Sequence, residues 1–275
     1  MDMTIPDLLE TIEKLLPLTS TFDGRNQTIA RWVEELRLDI ERNMALIDTS
    51  HPENVRILAV FLRDLLSRSV RGERSQRIYD AFLRIIRTED DLTEENYAAV
   101  MHEAGYRWGV DVGAAVVLAT VDYFRDDRHW DWRGYFDQAE NEKEDGFPHD
   151  PLLQVNNIGH KVRDLALANF NRNYAAFDVH LPRVLARTGL LAHGWNMDPR
   201  QSAEFGTDPS NKHNYLFLHR LLLHMSALCS GQFSPVDLDR ILWHFGRSLC
   251  GAVMQCEGCP IQSDCLTGRF RRIGR

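Results

Sequence analysis

The chain has 275 residues, of which 44% are hydrophobic and 9% aromatic, and its net charge is −8. These values are ordinary for a soluble globular protein. No apolar run approaches the roughly 20 residues that a membrane-spanning helix needs, which argues against a membrane protein. The first residues lack the basic and apolar regions of a signal peptide, so a cytoplasmic protein is expected, nucleoid-associated if bacterial.

The charge is divided unevenly along the chain. Residues 1–150 hold 18 Lys and Arg against 31 Asp and Glu, whereas residues 151–275 hold 14 against 9. Because attraction to phosphate acts locally, a basic second half is compatible with nucleic-acid binding by an acidic protein. Candidate phosphate contacts at the end of the chain, with solubilising surface charge as the alternative, are Arg269, Arg271, Arg272 and Arg275.

Hydrophobic periodicity predicts an almost wholly helical chain without strands. Residues 54–67 are apolar on nearly every side, which predicts a buried central helix. Residues 126–148 are charged and contain several Trp and Tyr, and we expect a solvated loop with a short helix over 132–139. Residues 191–214 contain two Gly and two Pro and predict an irregular loop. The other predicted helices are 7–16, 27–47, 75–86, 93–103, 110–124, 215–228 and 235–249.

The segment 156–188 contains the residues with the clearest chemical potential. Asn156-Asn157-Ile158-Gly159 is a turn sequence, in which Gly159 is expected at positive φ and the two Asn tolerate it. Lys161 follows in the first turn of a helix. A second helix is predicted to begin near Asp178, a preferred N-cap residue whose carboxylate meets the positive end of the helix dipole. A nucleophilic amine beside an ionised carboxylate would form a catalytic pair.

Four of the five cysteines lie close together with the spacing C-x5-C-x2-C-x5-C: Cys250, Cys256, Cys259 and Cys265. In a chain without a secretory signal this spacing predicts a metal site rather than disulfides. Zinc and a [4Fe–4S] cluster both accept four thiolates, and free thiols are the third possibility. Cys229, at the end of an apolar helix, is expected to be a buried free cysteine.

Two of these segments resemble the helix-hairpin-helix DNA glycosylases of the endonuclease III superfamily. In that family a hairpin Leu-Pro-Gly-Val-Gly-x-Lys precedes an Asp-x-His-x-x-Arg-Val segment. Here Ile-Gly-His-Lys ends at Lys161, and Asp-Val-His-Leu-Pro-Arg-Val begins 17 positions later at Asp178. Lys161 falls at the position of the family's Schiff-base lysine and Asp178 at that of its catalytic aspartate. Val155-Asn156-Asn157 stands where Leu-Pro-Gly is usual, and only Gly159 of the two glycines is kept.

The resemblance implies an all-α fold of two helical domains with a DNA-binding cleft between them. Residues 54–160 would form a barrel-like domain, and residues 1–50 plus 161–275 an iron–sulfur cluster domain, with the hairpin at 155–161 at the junction. The segment from Phe245 to Cys250, followed by Cys-x-x-Cys-Pro and a last Cys, is similar to the family's cluster loop, with a first gap one residue shorter than usual. The resemblance therefore favours a [4Fe–4S] cluster over zinc.

The implied function is a DNA glycosylase with AP-lyase activity, a monomer acting on double-stranded DNA that contains a damaged or modified base. Lys161 would form the Schiff base, and Asp178 would stabilise positive charge on the sugar. The alternatives are a non-catalytic [4Fe–4S] DNA-binding protein on the same scaffold and a monofunctional glycosylase. The expected DNA contacts are Asn157, Gly159, His160, Arg68, Ser69, Arg71, His180, Arg183 and Arg247. Candidates to fill the gap left by a flipped base, with core packing as the alternative, are Trp130, Trp132 and Trp195.

Overall fold

The computed structural model of the chain describes residues 5–67, 72–198 and 206–273, without the side chains of 72–74 and 271–273. Helix accounts for 63% of the residues, which confirms the predicted all-α class. Among the described residues, no helix is both long and apolar enough to cross a membrane. The α-helices are α1 (Leu8–Leu15), α2 (Ile29–Ile47), α3 (Asn54–Leu65), α4 (Gly72–Ile85), α5 (Glu94–Ala104), α6 (Val110–Asp122), α7 (Trp132–Asn141), α8 (His160–Ala168), α9 (His180–Thr188), α10 (Lys212–Leu228), α11 (Pro235–Ser248) and α12 (Leu266–Ile273).

Contacts divide the chain into two compact units. The first unit comprises Met1–Leu38, Glu144–Gly146 and Arg172–Arg275, and the second unit comprises Asp39–Lys143 and Phe147–Asn171. The resemblance put the domain boundaries near 54 and 160, whereas the units divide within α2 and after α8. Lys161 consequently belongs to the second unit and Asp178 to the first.

The second unit is built around α3, which confirms the predicted buried central helix. Eight of its residues from Ile57 to Leu65 are buried, and it packs against α4 and α8. Phe61 contributes an aromatic ring to the core, 5.5 Å from the ring of Phe124 and 5.9 Å from that of Tyr135. Such edge-on ring pairs stabilise a core beyond the area they bury.

The short helix predicted within 126–148 is confirmed, whereas the expectation that this segment is a solvated loop is wrong. A π-helical turn at Tyr123–Asp127 leads into α7, and the segment buries Trp132, Tyr135, Phe136 and Phe147. The apolar residues of this segment recur at helical spacing between charged residues, and they form one buried face. Trp132 is 1% exposed and donates its indole N–H to Asn54 Oδ1 at 2.9 Å, so it is a core residue and does not serve as a wedge.

A buried ionic network joins α8 to the segment before it in the second unit. The fully buried Arg163 contacts Asp164 at 2.5 Å and Asp150 at 3.1 Å, and it donates to the carbonyl of Phe147 at 3.0 Å. Tyr135 donates its hydroxyl to Asp150 at 2.8 Å. Burial is the main cause that raises the pKa of Asp150, and the charge of Arg163 opposes it. The network fixes the start of α8, which carries Lys161.

The first unit contains a two-stranded antiparallel sheet, the sheet found among the described residues. Strands β1 (Thr19–Phe22) and β2 (Arg25–Thr28) pair in the register Thr19 with Thr28. Asp23 and Gly24 form the turn, with φ of 52° and 73°. Both values are positive, as a two-residue hairpin turn requires, and Asp-Gly is a strong signal for it. The expectation of no strands is therefore wrong, although the Asp23-Gly24 pair in the sequence indicates a hairpin.

The core of the first unit is formed by α1, α9, α10 and α11. Leu8, Ile12 and Leu15 of α1 are buried against it, and Asp7 caps α1 by accepting the N–H of Glu10 at 2.8 Å. Helix α11 begins as predicted, with Ser234 as N-cap in a capping box and Pro235 at the first helical position. Helix α12, which follows the last cysteine, was not predicted.

Replacing Arg163 by Met should destabilise the second unit, because it leaves two buried carboxylates without their cation. We expect the free energy of unfolding to fall by about 3–5 kcal/mol. Urea denaturation followed by circular dichroism measures it. Arg56→Met is the matched control, since Arg56 pairs with Glu53 on the surface at 3.6 Å and such pairs contribute below about 1 kcal/mol. Equal losses in the two variants would contradict the role given to the buried network.

Candidate functional site

Asp178 is held at the N-terminus of α9 in the first unit. Its Oδ1 accepts the backbone N–H of His180 at 2.7 Å, and its side chain is 24% exposed. The helix begins at His180, so Asp178 lies one residue before the assigned N-cap but still accepts an amide of the first turn, much as predicted. The buried ring of Phe177 anchors the segment, 4.9 Å from the ring of Tyr215.

The other carboxylate oxygen is held from α11. Trp243 donates its Nε1–H to Asp178 Oδ2 at 2.9 Å, and His180 Nε2 lies 4.0 Å from the same oxygen. Helices α9 and α11 approach closely because residue 246 is glycine. A Cβ on Gly246 would lie 2.8 Å from Val184 Cγ2, closer than real Cβ atoms come. Sequence reasoning did not identify Trp243, because nothing in the linear pattern relates it to Asp178.

Arginines and aromatic rings pack around Trp243, which holds this carboxylate. The guanidinium of Arg247 lies 4.6 Å from the ring centre of Trp243 and 5.1 Å from that of Phe22, and Arg240 lies 5.7 Å from Trp243. The first unit as a whole is nearly neutral, with 16 Lys and Arg against 17 Asp and Glu. The cations near Asp178 are therefore a local concentration. We call Phe22, Trp243, Arg240 and Arg247 the arginine–aromatic cluster.

Of the predicted DNA contacts on α9, Arg183 is engaged within the protein. Its Nη2 donates to the carbonyl of Gly246 at 3.1 Å and contacts His180 Nδ1 at 2.6 Å. His180 is partly exposed and faces both Arg183 and Asp178. These contacts give Arg183 and His180 a part in holding the α9 terminus against α11.

His244 lies buried beneath the arginine–aromatic cluster. It has no exposed surface, stacks on Trp32 with ring centres 5.1 Å apart, and its Nδ1 lies 3.0 Å from Ser20 Oγ of β1. Burial, with a smaller effect of Arg240 and Arg247, lowers the pKa of His244 to about 3. The hairpin thus contributes Ser20 and Phe22 to the surroundings of Asp178, although no strand was predicted.

Lys161 lies in the first turn of α8 in the second unit, as predicted. It is exposed, and it makes no hydrogen bond or ion pair with the residues that the structure describes. The turn before it differs from the prediction. Asn157 has the positive φ, 74°, whereas Gly159 is extended at −113° and is the N-cap. A Cβ on Gly159 would meet nothing within 4 Å, so this position does not require glycine for space. His160 is half-buried beside it.

The four clustered cysteines follow α11 in the first unit. Cys250 is buried, and Cys256, Cys259 and Cys265 are partly exposed. Burial raises the pKa of the Cys259 thiol, a hydrogen bond from the Ile261 amide lowers it, and the charges of Cys265, Cys250 and Cys256 raise it further. Within the described residues, no three side chains of the metal-ligating types are arranged to hold a metal ion.

Backbone groups are directed at these thiols. Amides of Thr267 and Gly268 at the start of α12 hydrogen-bond to Cys265, and the amide of Ile261 to Cys259. Amide donors stabilise a thiolate, the form that ligates a metal. Burial nevertheless raises the pKa of Cys265 and Cys259, so the fit to a thiolate-ligated group rests on the four cysteine donors themselves. Cys229 is 1% exposed in the core, as predicted.

Helix α9 connects the cysteine loop to Asp178. Arg187, two turns after His180, donates to the carbonyl of Gly251 at 2.6 Å and to that of Cys250 at 3.3 Å. The carbonyl of Arg187 accepts from the Cys265 thiol at 3.3 Å and from the Thr267 hydroxyl at 3.0 Å. Asp178 thus lies at the N-terminal end of α9, and the cysteine loop contacts the C-terminal end of the same helix through Arg187.

The remaining predicted residues have separate positions. Arg68, Ser69, Arg71 and Arg275 lie outside the described residues, as do the side chains of Arg271 and Arg272. Arg269 is near the cysteine loop, where it donates to the carbonyl of Ser263 at 3.1 Å. Trp130 donates to Glu89 at 3.0 Å and stacks on Trp132, whereas Trp195 is 64% exposed.

The sequence matches no model of a known protein family, and a search of curated proteins finds no significant match.

The lowered pKa of His244 makes a specific prediction for acid stability. The folded state favours the neutral imidazole, so its stabilising contribution is complete above the unfolded pKa near 6.5 and is lost as the pH falls towards about 3. This loss is about 1.4 kcal/mol for each pH unit in that window. We expect His244→Phe to reduce the pH dependence of unfolding measured in urea between pH 7 and pH 4. His51→Phe, at an exposed histidine, should keep the wild-type slope. Identical slopes for all three proteins would refute the assignment.

Proposed function

We propose that this protein is a DNA glycosylase with AP-lyase activity that removes a damaged or modified base from double-stranded DNA. The observation that carries the proposal is the fixed carboxylate of Asp178, whose two oxygens accept a helix amide and an indole N–H beside a cluster of arginines. Breaking an N-glycosidic bond builds positive charge on the sugar, and a pre-oriented carboxylate stabilises that charge. The segment that begins at Asp178 resembles the Asp-x-His-x-x-Arg-Val motif of the glycosylases, and this resemblance implies the same charge-stabilising role for Asp178.

The proposed reaction begins with the target base leaving the DNA stack, which costs a few kcal/mol and is repaid by contacts in the complex. Asp178 then stabilises the sugar as the bond from C1′ to the base breaks. As the base departs and takes up a proton from water, the Lys161 amine, having given one proton to solvent, forms a bond to C1′. Transfer of a second amine proton to the ring oxygen opens the sugar and gives a protonated Schiff base. Removal of a C2′ proton then expels the 3′ phosphate by β-elimination, and water releases the enzyme.

Two features of the residues support these roles. Lys161 is exposed in the first turn of α8 and is not held in an ion pair with any described residue, so its amine is accessible to a substrate. The arginine–aromatic cluster provides exposed positive charge next to Asp178, which is suited to the phosphates on either side of a lesion. Base identity is not encoded by either feature.

A [4Fe–4S] cluster ligated by Cys250, Cys256, Cys259 and Cys265 is part of the proposal. Four cysteines in one loop supply the donor set that such a cluster uses, and thiolate ligation requires no other side chain. The cluster would supply structural cross-linking rather than redox chemistry at the sugar. The described part of the loop has little regular structure besides the bridge between Cys250 and Met254, so ligation would organise it.

The central prediction is that borohydride traps the protein covalently on lesion-bearing DNA, because it reduces the Schiff base. Lys161→Gln should abolish trapping and strand cleavage, whereas DNA binding persists. Asp178→Asn keeps the shape of the cap but loses the charge, and we expect base release to fall about hundred- to thousandfold. Gel assays of trapped complex, strand cleavage and base release, on duplexes that each carry one lesion, measure the three effects.

Lys212→Gln is the matched control, since Lys212 is likewise an exposed lysine in the first turn of a helix. It should trap like the wild type. Base release without trapping would favour a monofunctional glycosylase. Tight binding that ignores the lesion, with neither activity across a broad panel, would favour a non-catalytic DNA-binding protein.

The cluster predicts a yellow-brown protein with about four iron atoms per chain. Replacing any of the four ligand cysteines by Ser should remove colour and lower the yield of folded protein, because the loop loses the group it folds around. Cys229→Ser, at the buried cysteine outside the loop, should keep both. Absorbance spectra and metal analysis of protein purified without oxygen provide the measurement, and a colourless protein with one zinc per chain would refute the iron–sulfur assignment.

A further inference from the structure

Trp243 makes two different contacts with the two parts of its indole. The ring lies in the second half of α11, half-buried, with its centre 5.2 Å from that of Phe22 on the hairpin. Its N–H edge donates to Asp178 Oδ2 at 2.9 Å, and its face is covered by the guanidinium of Arg247 at 4.6 Å. One side chain therefore contacts both a carboxylate and an exposed cation.

The two oxygens of Asp178 depend on different parts of the fold. Oδ1 accepts the backbone N–H of His180, two residues further along the chain, so this hydrogen bond depends only on the local start of α9. Oδ2 accepts the indole N–H from another helix, and His180 Nε2 at 4.0 Å is beyond hydrogen-bond length. Among the described residues, Trp243 is therefore the group that fixes the rotation of this carboxylate.

Arg247 is oriented by the same indole. It is exposed, and it forms no ion pair or side-chain hydrogen bond with the described residues. Stacking on Trp243 and contact with Phe22 at 5.1 Å restrict its rotamers. Its planar set of N–H donors is thus pre-organised, and that geometry matches two oxygens of one phosphate.

We propose that Trp243 is a positioning residue that sets the distance between the carboxylate of Asp178 and a DNA phosphate bound by Arg247. The N–H edge orients the carboxylate, and the ring face orients the guanidinium. The substrate contact that it implies is a backbone phosphate beside the nucleotide whose base is removed. This inference rests on the proposed function, since it assigns Asp178 to base release.

Trp243→Phe separates the two roles, because phenylalanine keeps a ring face for Arg247 but has no N–H. We expect the single-turnover rate of base release to fall about ten- to hundredfold, the effect of losing one hydrogen bond to a charged group. The Kd for the lesion duplex should be unchanged. Arg247→Gln should instead weaken binding and lower the dependence of log Kd on log salt concentration by about one ion.

Trp32→Phe is the matched control. Trp32 also carries an arginine on its face, Arg25 at 4.5 Å, but its N–H donates to the backbone carbonyl of Ser20 at 3.2 Å. This variant removes an indole N–H from the same region without touching Asp178. Its rate of base release should match the wild type, and equal losses in Trp32→Phe and Trp243→Phe would refute a specific role for Trp243.

A second measurement does not need activity. The indole ¹⁵N–¹H resonance of Trp243, assigned by its absence in Trp243→Phe, should shift on Asp178→Asn, while that of Trp32 stays in place. An unmoved Trp243 resonance would overturn the hydrogen bond and the proposal. Absence of base release by the wild type would refute the proposed function and the catalytic consequence together. Wild-type base release by Trp243→Phe, from an active enzyme, would refute the positioning role alone.

Discussion

The close packing of α9 on α11 at Gly246 is the contact on which the first unit depends. No side chain separates the helices there, because a Cβ would lie 2.8 Å from Val184 Cγ2 and 3.3 Å from His180 Cβ. With the helices this close, Trp243, one turn before Gly246, reaches Asp178, and Arg183 reaches the carbonyl of Gly246. The orientation of the proposed catalytic carboxylate follows from a helix contact and not from local sequence.

The same pair of helices extends to the cysteine loop. Arg187 on α9 donates to two carbonyls at the beginning of the loop, and its own carbonyl accepts from Cys265 and Thr267 at the end of it. A group that ties the four cysteines together would hold the C-terminal ends of both helices. This arrangement explains how a cluster remote from the reacting atoms could still be needed for the site, since it would act through the α9–α11 contact.

Arg163 of the second unit and Arg247 of the first unit lie in different environments. In the second unit Arg163 is fully buried between Asp150 and Asp164, so its charge is compensated within the protein. In the first unit Arg247 is exposed and rests on aromatic rings, with no carboxylate as partner among the described residues. A compensated arginine stabilises the fold, whereas an exposed and oriented one is available to an anion.

The sequence by itself determined the buried helix α3, the Ser234-Pro235 start of α11 and the positions of Lys161 and Asp178 near helix starts, because periodicity and capping are interactions between residues three and four apart. The Asp23-Gly24 pair in the sequence also indicates the hairpin. Only the tertiary structure decided that Trp243 holds Asp178 while Phe22 and His244 pack on its ring, and that the charged segment 126–148 contributes to a core. Those contacts join residues far apart in the chain, and the packing that selects them depends on the shapes of whole helices.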